Sequence, residues 1–151
     1  MSFYFNEPLK GGGSFMEKSK RILLADDDPD FIEINRTVLE SAGYEVDEAY
    51  TSSEALDKLR AEKYDLLIVD LMMEERDSGF TVTYAVREDA NLCQLPILML
   101  TSAEEKTGFS FQFSQDKDWM KVDDFAAKPL RPAELLERVQ RLLAGGTKNH
   151  G

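Results

Sequence analysis

Four short apolar runs, Ile22 to Ala25, Leu66 to Val69, Ile97 to Leu100 and the weaker Phe125 to Ala127, constrain this chain more than any other feature. None alternates cleanly between apolar and polar residues. Continuous runs of four or so apolar residues, set far apart, suit parallel strands buried on both faces by crossover helices. Val46 to Ala49 alternates with acids and reads as an edge strand. Between the runs lie helical signals. Asp28 followed by Pro29 is a good N-cap with proline at N1, and Phe31, Ile34, Val38, Leu39 and Ala42 then recur at helical spacing until Gly43 closes the helix. Thr51 and Glu54 form a capping box ahead of Ala55, Leu56 and Leu59. A third helix is expected from about Phe80 to Glu88, with Val82 and Val86 one turn apart, and a last one from Pro132 through Leu135, Leu136, Val139, Leu142 and Leu143 to Gly145. Arg131 at its N-cap position is a poor cap.

The pattern βαβαβαβαβα is that of an α/β fold: a doubly wound five-stranded parallel sheet with helices on both faces. Such sheets bind ligands beyond the carboxyl ends of their strands, at a topological switch point. The residues that follow the apolar runs are the ones chemistry needs. The first run ends in Asp26, Asp27 and Asp28, the next central run in Asp70, the fourth strand in Thr101, and the fifth in Lys128 and Pro129. Converging carboxylates call for a hard divalent cation, and magnesium prefers oxygen ligands; Asp26, Asp27 and Asp70 are the expected set. A carboxylate can also act as a nucleophile toward phosphorus when a metal and a cation neutralise the transferred oxygens. Lys128 supplies that cation, and Thr101 a neutral donor for a phosphoryl oxygen. Asp28 is read as a helix cap only.

ILLADDDPD, LLIVDLMM, PILMLTS and DDFAAKPLRP, in this order and spacing, resemble the response-regulator receiver family of bacterial two-component systems. The resemblance covers residues 20–144. It implies the flavodoxin-like strand order 2-1-3-4-5, with Asp26 and Asp27 as the acid pair, Asp70 as phosphoacceptor and Thr101 as switch hydroxyl. It further implies Phe125 as the aromatic switch, the backbone carbonyl of Met72 as a further magnesium ligand, and a cis peptide between Lys128 and Pro129. The implied function is magnesium-dependent phosphorylation of Asp70 by a sensor histidine kinase or a histidine phosphotransfer protein, switching a protein–protein interaction surface. A receiver catalyses only its own phosphorylation and dephosphorylation. Two departures stand out: Met73 is followed by Glu74 with Gly79 six residues on, and the stretch Thr107 to Val122, containing GFSFQFSQDKDW, replaces the family's short fourth helix.

Two rival functions share parts of this pattern. A phosphatase of the haloacid-dehalogenase type would use Asp26 and Asp28 as its Asp-x-Asp, but Pro29 and a helix follow where that family needs a threonine and a larger core. A receiver-like interaction module that takes no phosphate would not need the acid pair, Asp70, Thr101 and Lys128 together.

Composition narrows the setting. Eighteen Lys and Arg against 29 Asp and Glu leave a formal charge of -11, which repels a phosphate backbone, so direct nucleic-acid binding is not expected. The single Cys93 forms no internal disulfide, and no apolar run approaches the ~20 residues of a membrane helix; a cytoplasmic protein with no membrane contact is the expectation. Residues 1–19, with Gly11-Gly12-Gly13, read as a flexible leader or expression scar with Met16 as an alternative start, and residues 145–151, with His150, as a disordered tail. No output domain is recognised, so the signal is expected to leave through an unknown downstream protein or by homodimerisation. Trp119 and the phenylalanines at 109, 111 and 113 suggest an edge hairpin or a partner patch, reached from Thr101 through Phe125. Met72 and Ala103, which by the resemblance flank the water that hydrolyses the aspartyl phosphate, cannot orient it, so a long-lived phosphorylated form is expected.

Overall fold

The computed structural model describes residues 19–75, 78–102 and 121–145. In chain order these form β1 (Arg21–Ala25), α1 (Pro29–Ser41), β2 (Glu45–Ala49), α2 (Ser52–Ala61), β3 (Leu66–Asp70), α3 (Ser78–Glu88), β4 (Ile97–Thr101), β5 (Asp124–Ala127) and α4 (Pro132–Leu143). The five strands are all parallel, in the order β2-β1-β3-β4-β5. This is the doubly wound parallel sheet that the apolar runs predict, in the flavodoxin-like order that the family resemblance implies. Residues 103–120, between β4 and β5, hold the aromatic stretch and Ala103 and lie outside the described residues, as do nearly all of the leader and tail.

Each strand feeds two cores. Leu23, Ala25, Leu67, Val69, Ile97 and Met99 pack with α2 and α3, burying Ala55, Leu59, Phe80, Val82 and Val86. Ile22, Leu24, Leu66, Ile68, Leu98 and Leu100 pack on the opposite face with α1 and α4, burying Ile32, Leu39, Leu135, Val139 and Leu142. The three central strands therefore have no polar side, and that is why their sequences do not alternate. Every residue of β3 and of β4 is buried, so Asp70 and Thr101 stand at the ends of two fully enclosed strands.

The helix ends follow their local chemistry. Asp28 accepts a hydrogen bond from the Asp30 amide, with Pro29 at the first helical position, and Gly43 takes the positive φ of +100° that reverses the chain after α1. The inward line of α1 differs from its sequence reading. Ile34 is 62 % exposed, and Ile32, Asn35 and Leu39 are the buried residues. The buried Asn35 is accommodated because its side-chain amide donates to the Phe31 carbonyl at 2.8 Å. Thr51 caps α2 through the Glu54 amide, but Glu54 reaches back to the amide of Tyr50 rather than that of Thr51. Arg131 makes no side-chain cap to α4.

At the amino end of the sheet, Arg21 pairs with Asp47 at 2.6 Å and lies over the Tyr64 ring, and the Tyr64 hydroxyl donates to Asp47 at 2.6 Å. The hydroxyl, with Arg21 behind it, holds the Asp47 carboxyl below its ordinary 3.8 against the opposing effect of partial burial. A carboxyl lowered by folding stabilises the native state above its ordinary value, and that contribution is lost as pH falls through the lower native value. Tyr64→Phe should therefore cost about 1 kcal/mol at neutral pH. The deficit should shrink below pH 3.8; urea titrations at neutral and acid pH check both, and a deficit independent of pH counts against the pairing.

The carboxyl end of β3 carries a tighter constraint. The Gly79 amide donates to the Leu71 carbonyl at 2.7 Å, and a Cβ added at Gly79 would lie 2.7 Å from Leu71 Cα and 2.8 Å from the Asp70 carbonyl oxygen. Both neighbours are backbone, so neither can swing aside. Gly79→Ala should lower the unfolding free energy by about 1–3 kcal/mol, as overpacking does. A urea midpoint unchanged from the parent would show that α3 can retreat from β3 without cost.

Candidate functional site

The parallel sheet brings four strand ends to one edge. Asp26 directly follows β1, with its amide bonded to the Ala49 carbonyl at 3.0 Å. Asp70 is the last residue of β3, 5 % exposed, and Thr101 the last of β4, fully buried. Lys128 directly follows β5, and its amide donates to the Thr101 carbonyl at 2.7 Å. The Lys128–Pro129 peptide is cis. The residues singled out in the sequence are thus gathered by backbone pairing and not by flexible loops.

Asp26, Asp27 and Asp70 each offer a carboxylate oxygen, and these oxygens lie within 4.8 Å of one another. Asp27 is exposed and Asp26 is wholly buried. Lys128 Nζ stands 2.8 Å from Asp26 Oδ2 and 3.5 Å from Asp70 Oδ1. Its approach to Asp26 misses directed hydrogen-bond geometry, leaving Oδ2 in an ion pair without a hydrogen bond. Asp26 Oδ1 accepts from the Asp28 amide at 3.0 Å. Burial pushes the Asp26 carboxyl above its ordinary value, although Lys128 pulls the other way. For Lys128 burial alone would lower the ammonium, but the Asp26 and Asp70 carboxylates outweigh it and hold it raised. The ammonium also lies 4.2 Å from the centroid of the Phe31 ring. Sequence reasoning placed Phe31 on the apolar face of α1 and gave no sign of this contact.

Among the described residues three carboxylates meet one ammonium, which leaves an excess of negative charge at this strand edge. A hard divalent cation with oxygen ligands fits such a set, since it supplies the missing charge and can bond the buried Asp26 oxygen that lacks a directed donor. Thr101 Oγ1 is likewise buried without a hydrogen-bond partner among the described residues. A buried hydroxyl left without a partner carries a desolvation cost of about 1–3 kcal/mol, which a ligand oxygen at that edge would relieve.

The loop after Asp70 is organised by its own acids. Met72 is half-buried and Met73 buried. Glu74 accepts from the Ser52 amide at 3.0 Å and from the Ser52 and Ser78 hydroxyls, so it bridges the first turn of α2 to the start of α3. Partial burial works to raise the Glu74 carboxyl, but the Ser52 bonds prevail and hold it below its ordinary value. Phe125, in β5 beside Met99 of β4, is half-buried against the core shared with α2 and α3. The neighbouring Asp124 is buried and paired with Arg138 of α4 at 2.7 Å.

Comparison with known proteins agrees with this fold. The family model described as response regulator receiver domain matches residues 22–140. Response regulator GtcR of Aneurinibacillus migulanus is 33% identical over 125 residues, covering 83% of this chain and 48% of that protein. The alkaline phosphatase synthesis transcriptional regulatory protein PhoP of Bacillus subtilis is 34% identical over 125 residues, with 83% and 49% covered. The chain spans about half the length of these relatives. Among solved structures, a putative response regulator from Chloroflexus aurantiacus superposes with a TM-score of 0.72 at 35% identity, covering 84% of this chain and 99% of that one. Response regulator TrrA from Thermotoga maritima, solved in complex with Mg(2+)-BeF, gives a TM-score of 0.68 at 33% identity, with 82% and 98% covered. The match begins in the first strand and ends in the last helix, so it takes in every residue gathered at the carboxyl edge, and the chain belongs to the response regulator receiver family of two-component signalling.

Proposed function

We propose that this chain accepts a phosphoryl group on Asp70 from a phosphohistidine of a sensor histidine kinase or histidine phosphotransfer protein. The observation that carries the reading is the grouping of the Asp26, Asp27 and Asp70 carboxylates with Lys128 Nζ between Asp26 and Asp70. Asp26, Asp27, Asp70 and the backbone carbonyl of Met72 would hold magnesium, whose charge offsets that of the incoming phosphoryl oxygens.

The chain's own residues do the rest. Asp70 attacks phosphorus through a carboxylate oxygen; an O–P bond forms as the donor's N–P bond breaks, and the pair of electrons leaves with the imidazole. Lys128 neutralises a phosphoryl oxygen as a point charge. Thr101 donates its hydroxyl to another, gaining the partner it lacks. Movement of Thr101 opens room for Phe125, which biases a two-state surface read by a downstream protein or by a second copy of the chain. The expected setting is the cytoplasm; among the described residues no helix is long and apolar enough to cross a membrane. Direct nucleic-acid contact is disfavoured by the charge of -11.

Acetyl phosphate and magnesium should add the mass of one phosphoryl group to the parent and nothing to Asp70→Asn, by intact mass spectrometry. A phosphorylated Asp70→Asn product would move the site to another acid.

The phosphorylated form should also be long-lived. Hydrolysis needs a water held in line with phosphorus, and Met72 offers no hydrogen bond to hold it; Ala103, the other flanking residue, lies outside the described residues. Met72→Asn and Ala103→Glu each restore a polar group, and regaining one orienting contact of about 1.4 kcal/mol speeds the step about tenfold. Dephosphorylation followed in excess magnesium after donor removal checks this, and equal decay in the parent and both variants would sink it.

A further inference from the structure

Lys128 carries its charge on a flexible four-carbon stem, and a strongly hydrated ammonium is readily drawn toward water. Its two carboxylate neighbours, Asp26 and Asp70, are the groups that a metal and a phosphoryl group would engage. Once they do, their pull on the ammonium weakens at the stage when its position matters. The third neighbour is the Phe31 ring, 4.2 Å from Nζ at its centroid. The face of an aromatic ring attracts a cation through its quadrupole, yet it is neither a metal ligand nor a proton acceptor. Its hold on Lys128 therefore persists whatever the carboxylates are bound to.

The ring is also rigidly placed. Phe31 is the third residue of α1, whose first turn is fixed by the Asp28 cap and Pro29. Its carbonyl accepts from the Asn35 side chain at 2.8 Å. It is half-buried against the core shared by α1 and α4. One short stretch of chain thus supplies the acid pair Asp26 and Asp27 and the face that steadies the cation.

We infer that Phe31 is a positioning residue for phosphoryl transfer, acting through Lys128 by holding its ammonium over Asp70 when the carboxylates are engaged. The inference rests on the phosphoacceptor reading of Asp70 given above.

The test compares full-length parent, Phe31→Leu and Phe31→Tyr. Phe31→Leu keeps apolar bulk and loses the ring face; Phe31→Tyr keeps both. In the parent, the Lys128 ε-methylene protons should be shifted upfield by the ring current, without metal and again with magnesium and beryllofluoride. Phe31→Leu should lose that shift, and its phosphorylation by acetyl phosphate and its beryllofluoride affinity should fall roughly three- to tenfold, the range of a partly desolvated cation–π contact. Phe31→Tyr should retain the shift and stay within about twofold of the parent. The proposal is overturned if Phe31→Leu matches the parent, if Phe31→Tyr loses as much as Phe31→Leu, or if the shift vanishes on beryllofluoride binding. A parent that keeps the ring-current shift but takes neither phosphoryl group nor beryllofluoride removes the reading of Asp70, and the proposal with it.

Discussion

The ion pair between Asp26 and Lys128 governs the functional edge of this molecule. Asp26 is wholly buried, and a carboxylate so placed is tolerated only when an opposite charge is close. Lys128 meets that need at 2.8 Å, yet without directed hydrogen-bond geometry. The contact therefore neutralises charge and leaves the oxygen able to bond a cation as well. Thr101 is also open to a ligand, its hydroxyl enclosed but unpartnered among the described residues. Two buried groups left open to ligands at the ends of β1 and β4, the strands that flank β3, are hard to explain as structural devices. Structural selection would satisfy them or replace them with apolar side chains.

Such an arrangement needs a stiff frame, and the sheet supplies it. The fully buried β3 fixes Asp70, while Gly79 lets α3 approach the β3 backbone closely enough for its amide to bond the Leu71 carbonyl. On the far side of β4, Arg138 reaches from α4 to Asp124 and to the Phe125 carbonyl. Arg87 ties the end of α3 to the Cys93, Leu95 and Lys121 carbonyls and to Asp123, which also accepts from the Ile97 amide. The strand that carries Phe125 is thus clamped before its start and at its first residues, whereas the chain that precedes the clamp, residues 103–120, is the stretch where the sequence departs most from a receiver.

The fold and the grouping of the site were legible because both arise from one pattern. Apolar runs of four or so residues without alternation, separated by helical segments, suit buried parallel strands, and parallel strands send their carboxyl ends to a common edge, so reading the residue after each run was enough to assemble Asp26, Asp70, Thr101 and Lys128. What escaped were contacts set by side-chain direction. Of the apolar line inferred for α1, Phe31, Val38 and Leu39 do face the core, but Ile34 and Ala42 are exposed and Ile32, which that line omitted, is buried, because helical spacing alone does not fix which residues at the edge of the stripe turn inward. The ring of Phe31 over Lys128 joins residues nearly a hundred positions apart, for which local periodicity offers no signal.

Glu74 illustrates the same limit in electrostatic terms. In sequence it makes the loop beside Asp70 more acidic and, counted by charge alone, adds repulsion to a site already rich in carboxylates. In the structure its oxygens are turned to the Ser52 amide and the Ser52 and Ser78 hydroxyls. There it meets unsatisfied donors and the positive end of the α2 dipole, where an acid is stabilising. Its lowered pKa records that use. The charge therefore belongs to the seam between α2 and α3, and it fastens the loop that leaves Asp70 to the same face of the sheet on which those two helices bury their apolar sides. An acid four residues past Asp70 in sequence thus helps fix the backbone from which the cation site is built.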